Sequence, residues 1–164
     1  MQIKYKGGNK FEIKCKDLDV TFADQLTVNG FVFPGPGEYE KSGAIINGIA
    51  DGLNTIYIVN AEDMNLCYLG ELTHELTEDE VKQIGDVDIL FLPLGEKGTT
   101  NVKSALKVLT KIDPRVSIPM LYTDLDEFKK GEGLVDGNEI DILKIKKSEL
   151  PEEERKTYLL TATD

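Results

Sequence analysis

Asn65-Leu66-Cys67-Tyr68-Leu69-Gly70-Glu71-Leu72-Thr73-His74-Glu75-Leu76-Thr77-Glu78-Asp79-Glu80 is where the chain changes its period. Upstream, apolar residues alternate with polar ones; downstream, helical spacing sets in. The apolar run Leu66 to Leu69 reads as a strand that breaks at Gly70. Thr77-Glu78-Asp79-Glu80 is a capping box, with the Thr77 hydroxyl accepting the Glu80 amide and the Glu80 carboxylate reaching back. A helix therefore starts there, and Gly85 supplies its stop. Between strand and helix lies His74, the single histidine of the chain.

Upstream the pattern is a meander. Ile3-Lys4-Tyr5, Phe11 to Lys16 and Asp19 to Phe22 alternate, separated by the turn-like Gly7-Gly8-Asn9-Lys10 and Lys16-Asp17-Leu18-Asp19. A short strand from Thr27 to Phe33 runs into Pro34-Gly35-Pro36-Gly37, expected to end regular structure in a tight connection and followed by a Glu38-Tyr39-Glu40 turn. Ala44 to Ile49, Thr55 to Val59 and Asn65 to Leu69 are three more strands, the last two linked by Asn60 to Met64.

Downstream, Val87 to Pro93 is a nearly continuous apolar run, as expected of a strand covered on both faces. Asn101 to Ile112 carries Val102, Ala105, Leu106, Val108, Leu109 and Ile112 at helical spacing. Asp113-Pro114 ends that helix, and Val116 to Leu121 is the next strand. A short helix at Leu125 to Lys130, strands at Glu139 to Ile145 and Thr157 to Leu160, and a solvated turn from Glu149 to Lys156 complete the reading. The fold class is α+β, with two sheets and outer helices in one domain over residues 1–164. Gly35-Pro36-Gly37 is a poor phosphate cradle, because proline removes a donor amide.

Composition narrows the function classes. Thirty acidic against 19 basic residues give a net charge of −11, which disfavours a nucleic-acid partner. No stretch approaches the roughly 18 apolar residues of a membrane span, and the first residues carry no signal-peptide pattern, so the expectation is a cytoplasmic protein with no membrane partner. Cys15 and Cys67 lie in alternating strands with no metal-ligand spacing and read as free thiols. A lone histidine cannot supply the several imidazoles of a two-metal hydrolytic centre.

Pro36-Gly37-Glu38-Tyr39-Glu40, Leu69-Gly70-Glu71-Leu72-Thr73-His74-Glu75-Leu76, Gly85-Asp86-Val87-Asp88-Ile89-Leu90 and Ile118-Pro119-Met120-Leu121-Tyr122, in this order, resemble the metallo-β-lactamase fold superfamily. The similarity is to its branch of small hydrolases related to L-ascorbate-6-phosphate lactonase. The resemblance implies a four-layer αββα sandwich, here reduced in size, with two mixed sheets and outer helices. It also implies a site for one or two metal ions, commonly zinc or manganese, that hydrolyses an ester, lactone, amide or phosphodiester. Against that pattern, Gly8 stands where relatives carry a histidine, and the His-x-His-x-Asp-His loop expected after Phe22-Ala23-Asp24 is absent. Glu71 replaces the bridging aspartate, and Leu121 the last ligand histidine. Tyr68 and Leu121 are expected to fill the vacated cavity.

The leading expectation is accordingly a catalytically degenerate scaffold with no cofactor, acting as a binding, regulatory or assembly module and, by analogy, self-associating as a homo-oligomer. The alternative is a residual metal-dependent hydrolase of an ester, lactone or phosphodiester. In it one magnesium or manganese ion, rather than zinc, binds oxygen ligands from Glu38, Glu40, Glu71, Glu75 and Asp124. Glu71 would be its main ligand or base and His74 its proton shuttle. A third reading is a small-ligand sensor lined by Tyr39, Tyr68, Leu121 and Tyr122.

Overall fold

Alternation in the first half of the chain does build sheet. The computed structural model describes residues 1–134 and 139–164. Its first strands are β1 (Gln2–Gly7), β2 (Lys10–Lys14), β3 (Asp19–Phe22), β4 (Thr27–Val28), β5 (Phe31–Val32), β6 (Gly37–Lys41), β7 (Ala44–Asp51), β8 (Asn54–Ala61) and β9 (Met64–Tyr68). Then follow α1 (Glu78–Ile84), β10 (Ile89–Pro93), α2 (Val102–Ile112), β11 (Val116–Met120) and α3 (Asp126–Glu132). Short strands β12 (Glu139–Ile140), β13 (Ile142–Lys144), β14 (Lys156–Thr157) and β15 (Leu159–Leu160) close the order.

One sheet runs β13-β1-β2-β3-β4-β5 and is antiparallel throughout. The other runs β14-β11-β10-β9-β8-β7-β6: an antiparallel meander from β6 to β9, continued by parallel β10, β11 and β14. The inward side chains of both sheets, among them Ile3, Phe11, Ile13, Phe22, Ile46, Val59, Leu66, Phe91 and Ile118, form one core layer. The opposite face of the second sheet, through Ile56, Cys67, Leu69, Leu90 and Leu92, packs against Ile84 of α1, Ala105, Val108 and Leu109 of α2, and Phe128 of α3. Each Val or Leu so buried contributes roughly 1.5–3 kcal/mol. Because β10 has a layer on each side, all five of its residues are buried, which is why it reads as an unbroken apolar run. The α+β sandwich is thus present.

The helix signals hold. Thr77 and Glu80 form both halves of the capping box, and Gly85 ends α1 with φ +73°. Asn101 caps α2 by accepting the Ser104 amide. None of the described helices is long and apolar enough to cross a membrane.

Three readings need correction. Glu38-Tyr39-Glu40 is not a turn but strand β6, paired with β7. Tyr39 holds it in place, with its ring 5.1 Å from that of Phe33 and its hydroxyl 3.0 Å from each of the Gly35 and Pro36 carbonyls. The strands at Glu139 to Ile145 and Thr157 to Leu160 are each broken in two, because β13 pairs with β1, β14 with β11, and β12 with β15. The Glu149 to Lys156 stretch is tied down: Arg115 donates to the Pro151 and Glu152 carbonyls at 2.8 and 3.2 Å, and Arg155 pairs with Glu132 at 3.0 Å.

Candidate functional site

The carboxyl ends of β9, β10 and β11 open at one edge of the sandwich, the usual position for a ligand in parallel sheet. There the two-residue Gly52-Leu53 turn between β7 and β8 meets the loop that leaves β9. Asn54 joins them. Its amide nitrogen donates to Asp51 Oδ2 at 3.0 Å and to the Leu69 carbonyl at 2.9 Å, while its oxygen accepts the Glu71 amide at 3.0 Å.

The same loop carries His74 up to the start of α1. His74 Nε2 lies 3.0 and 3.3 Å from the two Glu80 oxygens, and Nδ1 lies 3.7 Å from Asp51 Oδ1. Glu80 Oε2 also accepts the Thr77 amide at 2.7 Å. Partial burial works against ionisation of Glu80, but the Thr77 amide and the His74 ring prevail and hold its carboxyl below the ordinary value. Asp51, His74 and Glu80 side chains are 13%, 39% and 22% exposed, so the group is sheltered yet reachable.

Each of the three offers a ligand atom, and these atoms lie within 4.8 Å of one another; among the described residues no other such group was found. One imidazole and two carboxylates are a donor set for a single divalent ion, with positions left open for water or substrate. Only one ring nitrogen of His74 can ligate. The two carboxylates face different ring nitrogens, Asp51 at Nδ1 and Glu80 at Nε2.

Asp51 also borders a cleft of about 750 Å³ between the two sheets' edges. Tyr68 forms part of its floor, stacked on Phe22 at 4.7 Å and donating its hydroxyl to the Asn9 carbonyl at 2.8 Å. Burial pushes the Tyr68 phenol well above its usual value, and burial likewise raises Tyr57, so both stay neutral donors. The histidine-rich two-metal centre of the superfamily does not fit this cleft: its ionisable lining groups are Asp24, Asp51, Glu71 and the tyrosines, with no imidazole. Only Ala23 to Leu26 separate β3 from β4, so the expected ligand loop has no room.

The positions singled out from the sequence are scattered. Gly8 sits in the β1–β2 turn, where its carbonyl accepts the Tyr5 hydroxyl and the Leu121 amide. Leu121 is fully buried with φ +53°, at the end of β11. Glu71 lines the cleft but pairs with Lys97 at 3.4 Å. Glu38 and Glu40 are exposed on β6. Glu75 pairs with Lys107 at 3.1 Å, and Asp124 accepts the Asp126 amide at 2.7 Å, exposed before α3. Tyr39 braces Pro36, and Tyr122 is half-buried against Leu160. The expected convergence of Glu38, Glu40, Glu71, His74, Glu75 and Asp124 does not occur; His74 alone gathers ligand-type partners. Those partners were missed. Asp51 was hidden in Asp51-Gly52-Leu53-Asn54, a two-residue hairpin signal between alternating runs. In the sequence Glu80 reads only as the carboxylate of the capping box.

A family profile described as "Beta-lactamase superfamily domain" matches residues 20–121. A protein named a metal-dependent hydrolase from Methanosarcina barkeri is 32% identical over 127 residues, covering 76% of this chain and 48% of the relative. A protein of Pyrococcus furiosus is 34% identical over 70 residues, 40% of this chain and 32% of the relative. The matches thus span half or less of the length of these curated relatives. In fold, the chain is similar over 98% of its length to the whole crystal structure of a candidate Zn-dependent hydrolase of the metallo-beta-lactamase superfamily from Thermotoga maritima, with a TM-score of 0.82 and 23% identity. The expectation of no cofactor is overturned: relatives are named metal-dependent hydrolases, and Asp51, His74 and Glu80 form a candidate metal site.

Proposed function

The chain belongs to the beta-lactamase superfamily, and from that premise we propose that it is a metal-dependent hydrolase whose divalent ion is held by Asp51, His74 and Glu80 rather than by the superfamily's histidine cluster. The observation that carries this reading is the approach of those three side chains beside the cleft. When bound, the ion would supply Lewis acidity and a nucleophile near neutral pH for an ester or lactone. The chain's own residues do the rest. Asn54 holds Asp51 in place through its 3.0 Å hydrogen bond. Tyr57 and Tyr68 give the substrate an apolar wall. Glu71, at the cleft 3.4 Å from Lys97, is placed to accept a proton.

The test is calorimetric titration of chelator-stripped protein with Zn²⁺ and with Mn²⁺. One ion per chain, weakened at least tenfold in His74→Ala and Asp51→Asn, is the expected result. Binding that is absent, or unchanged in both variants, rejects the site.

A second reading, a non-enzymatic binding or assembly module, is supported by the short β3–β4 connection and by Leu121 in place of a ligand. There the ion would only brace the Asp51 turn against α1. Hydrolysis of neutral aryl esters and lactones by the metal-loaded protein separates the two: turnover lost in Glu71→Gln supports the enzyme, and no turnover supports the module.

A further inference from the structure

Charge is segregated in this molecule. Eight of the chain's 19 basic residues, but only one of its 30 acidic residues, fall within residues 1–16 and 142–147. Pairing of β13 with β1, and of β1 with β2, gathers both segments at one end of the first sheet. Lys144 and Lys14 stand on either side of Gln2 in register, two strand spacings or roughly 10 Å apart. Lys16 and Lys146 follow where the chain leaves β2 and β13. All four are exposed, and all four border one hollow of about 450 Å³. The two carboxylates at that hollow are already engaged. Glu62 pairs with the N-terminal ammonium at 2.8 Å and accepts the Lys16 amide at 3.4 Å, while Glu149 accepts the Lys146 amide at 2.8 Å. Among the described residues Lys16, Lys144 and Lys146 have no ion-pair partner, and Lys14 reaches only Asp19, at 3.8 Å. Like charges so placed repel one another, and an anion between them relieves that repulsion. Lysine suits the task, because its compact charge on a flexible stem lets several side chains close on one anion from different sides.

The surroundings limit the size of that anion. Asp63, next to Glu62, borders a neighbouring hollow that also carries Asp86, Asp88, Asp113 and Glu152. An extended polyanion lying across the lysines meets this acidic border and the field of a chain whose net charge is −11. A compact anion stays within a Debye length of the lysines, about 10 Å at 0.1 M salt, and is shielded from the rest. We propose that the hollow ringed by Lys14, Lys16, Lys144 and Lys146 binds a compact, soluble anion bearing two or more phosphate groups. Glu62 lies in the β8–β9 turn, at the opposite end of β9 from Glu71 and His74, so binding here is independent of the hydrolase reading.

The experiment uses the ¹⁵N-labelled full chain, stripped of metal and then freed of chelator, because a chelator is itself a multivalent anion. Amide spectra are followed at fixed ionic strength against tripolyphosphate, inorganic phosphate and a short single-stranded DNA. Tripolyphosphate is expected to shift amides of residues 14–16 and 144–147, with a Kd at least tenfold below that of inorganic phosphate and below that of the DNA. The double variant K16Q/K146Q weakens tripolyphosphate at least tenfold. K82Q/K103Q, an equal loss of charge at exposed positions on α1 and α2, leaves its affinity within twofold of wild type. The amide dispersion of each variant shows in the same spectra that it is folded. Equal Kd values for tripolyphosphate and phosphate, tighter binding of the DNA at these amides, equal losses in the two double variants, shifts confined elsewhere, or no shifts at all would overturn the proposal. Failure of metal binding in the separate calorimetric test would remove the hydrolase and leave this anion site standing.

Discussion

Gly70 lies so tightly against Asn54 that a Cβ at position 70 would collide with the Asn54 side-chain oxygen. Its φ of +61° already favours glycine. The two residues lock the β7–β8 turn to the loop leaving β9, and through Asn54 they set the position of Asp51. Gly70→Ala is therefore expected to displace Asn54, orphaning the Leu69 carbonyl and the Glu71 amide. The cost is about 2–4 kcal/mol from a lost hydrogen-bond pair and a strained backbone. Urea unfolding measures it, and an unchanged midpoint would show that the turn is not held this way.

Glu80 serves two roles, and they separate by substitution. Glu80→Gln keeps much of its bulk but weakens both the cap and the His74 contact. The folded-state pKa of Glu80 is lowered, so its stabilisation is present above the unfolded value of roughly 4.3 and is lost as pH falls through the lower folded value. The stability gap between wild type and Glu80→Gln should be open at pH 7 and smaller at pH 3. Denaturant unfolding at both pH values checks this.

Thr77→Ala removes the hydroxyl that accepts the Glu80 amide while leaving the Thr77 amide to bind the carboxylate. Loss of about 1 kcal/mol is expected, as for other N-caps. Metal affinity should fall less than in His74→Ala, a comparison that calorimetry makes directly.

Leu121 is a buried leucine in left-handed backbone. Leu121→Gly relieves about 1 kcal/mol of that strain but deletes a core side chain, a change worth about 2–5 kcal/mol. A net destabilisation of roughly 1–4 kcal/mol should appear in thermal unfolding. A gain in stability would mean that the side chain contributes less than its burial suggests.

The two thiols should react in order. Burial, reinforced by Glu62, pushes Cys15 up to about 11, and complete burial raises Cys67 further. At pH 8 Cys15 should react with iodoacetamide roughly 100-fold more slowly than an unperturbed thiol, because only the thiolate attacks. The rate should climb toward pH 11, and Cys67 should stay unlabelled until the protein unfolds. Mass spectrometry of timed samples reads both.

By itself the sequence determined most of the local elements and established that the chain has a single histidine. Alternation decides which face of β1, β2, β3 and β8 turns inward, because side chains point to opposite faces at every step. Thr77, Glu80 and Asn101 declare their helix starts through bonds spanning three residues. Leu121 and the short Phe22-to-Thr27 link are equally plain in the bare chain. Tertiary structure alone decided that Glu38-Tyr39-Glu40 pairs as a strand, since Tyr39 finds Phe33 only once the sheets meet. It alone brought Asp51 to His74. Those two lie on separate strands' loops, and nothing local joins them. They approach because Asn54 docks the turn onto Leu69 and Glu71, and because burial of Ile56, Leu69 and Leu72 in one core holds that docking in place. Three side chains from one turn, one loop and one helix become a candidate site only when packing fixes all three.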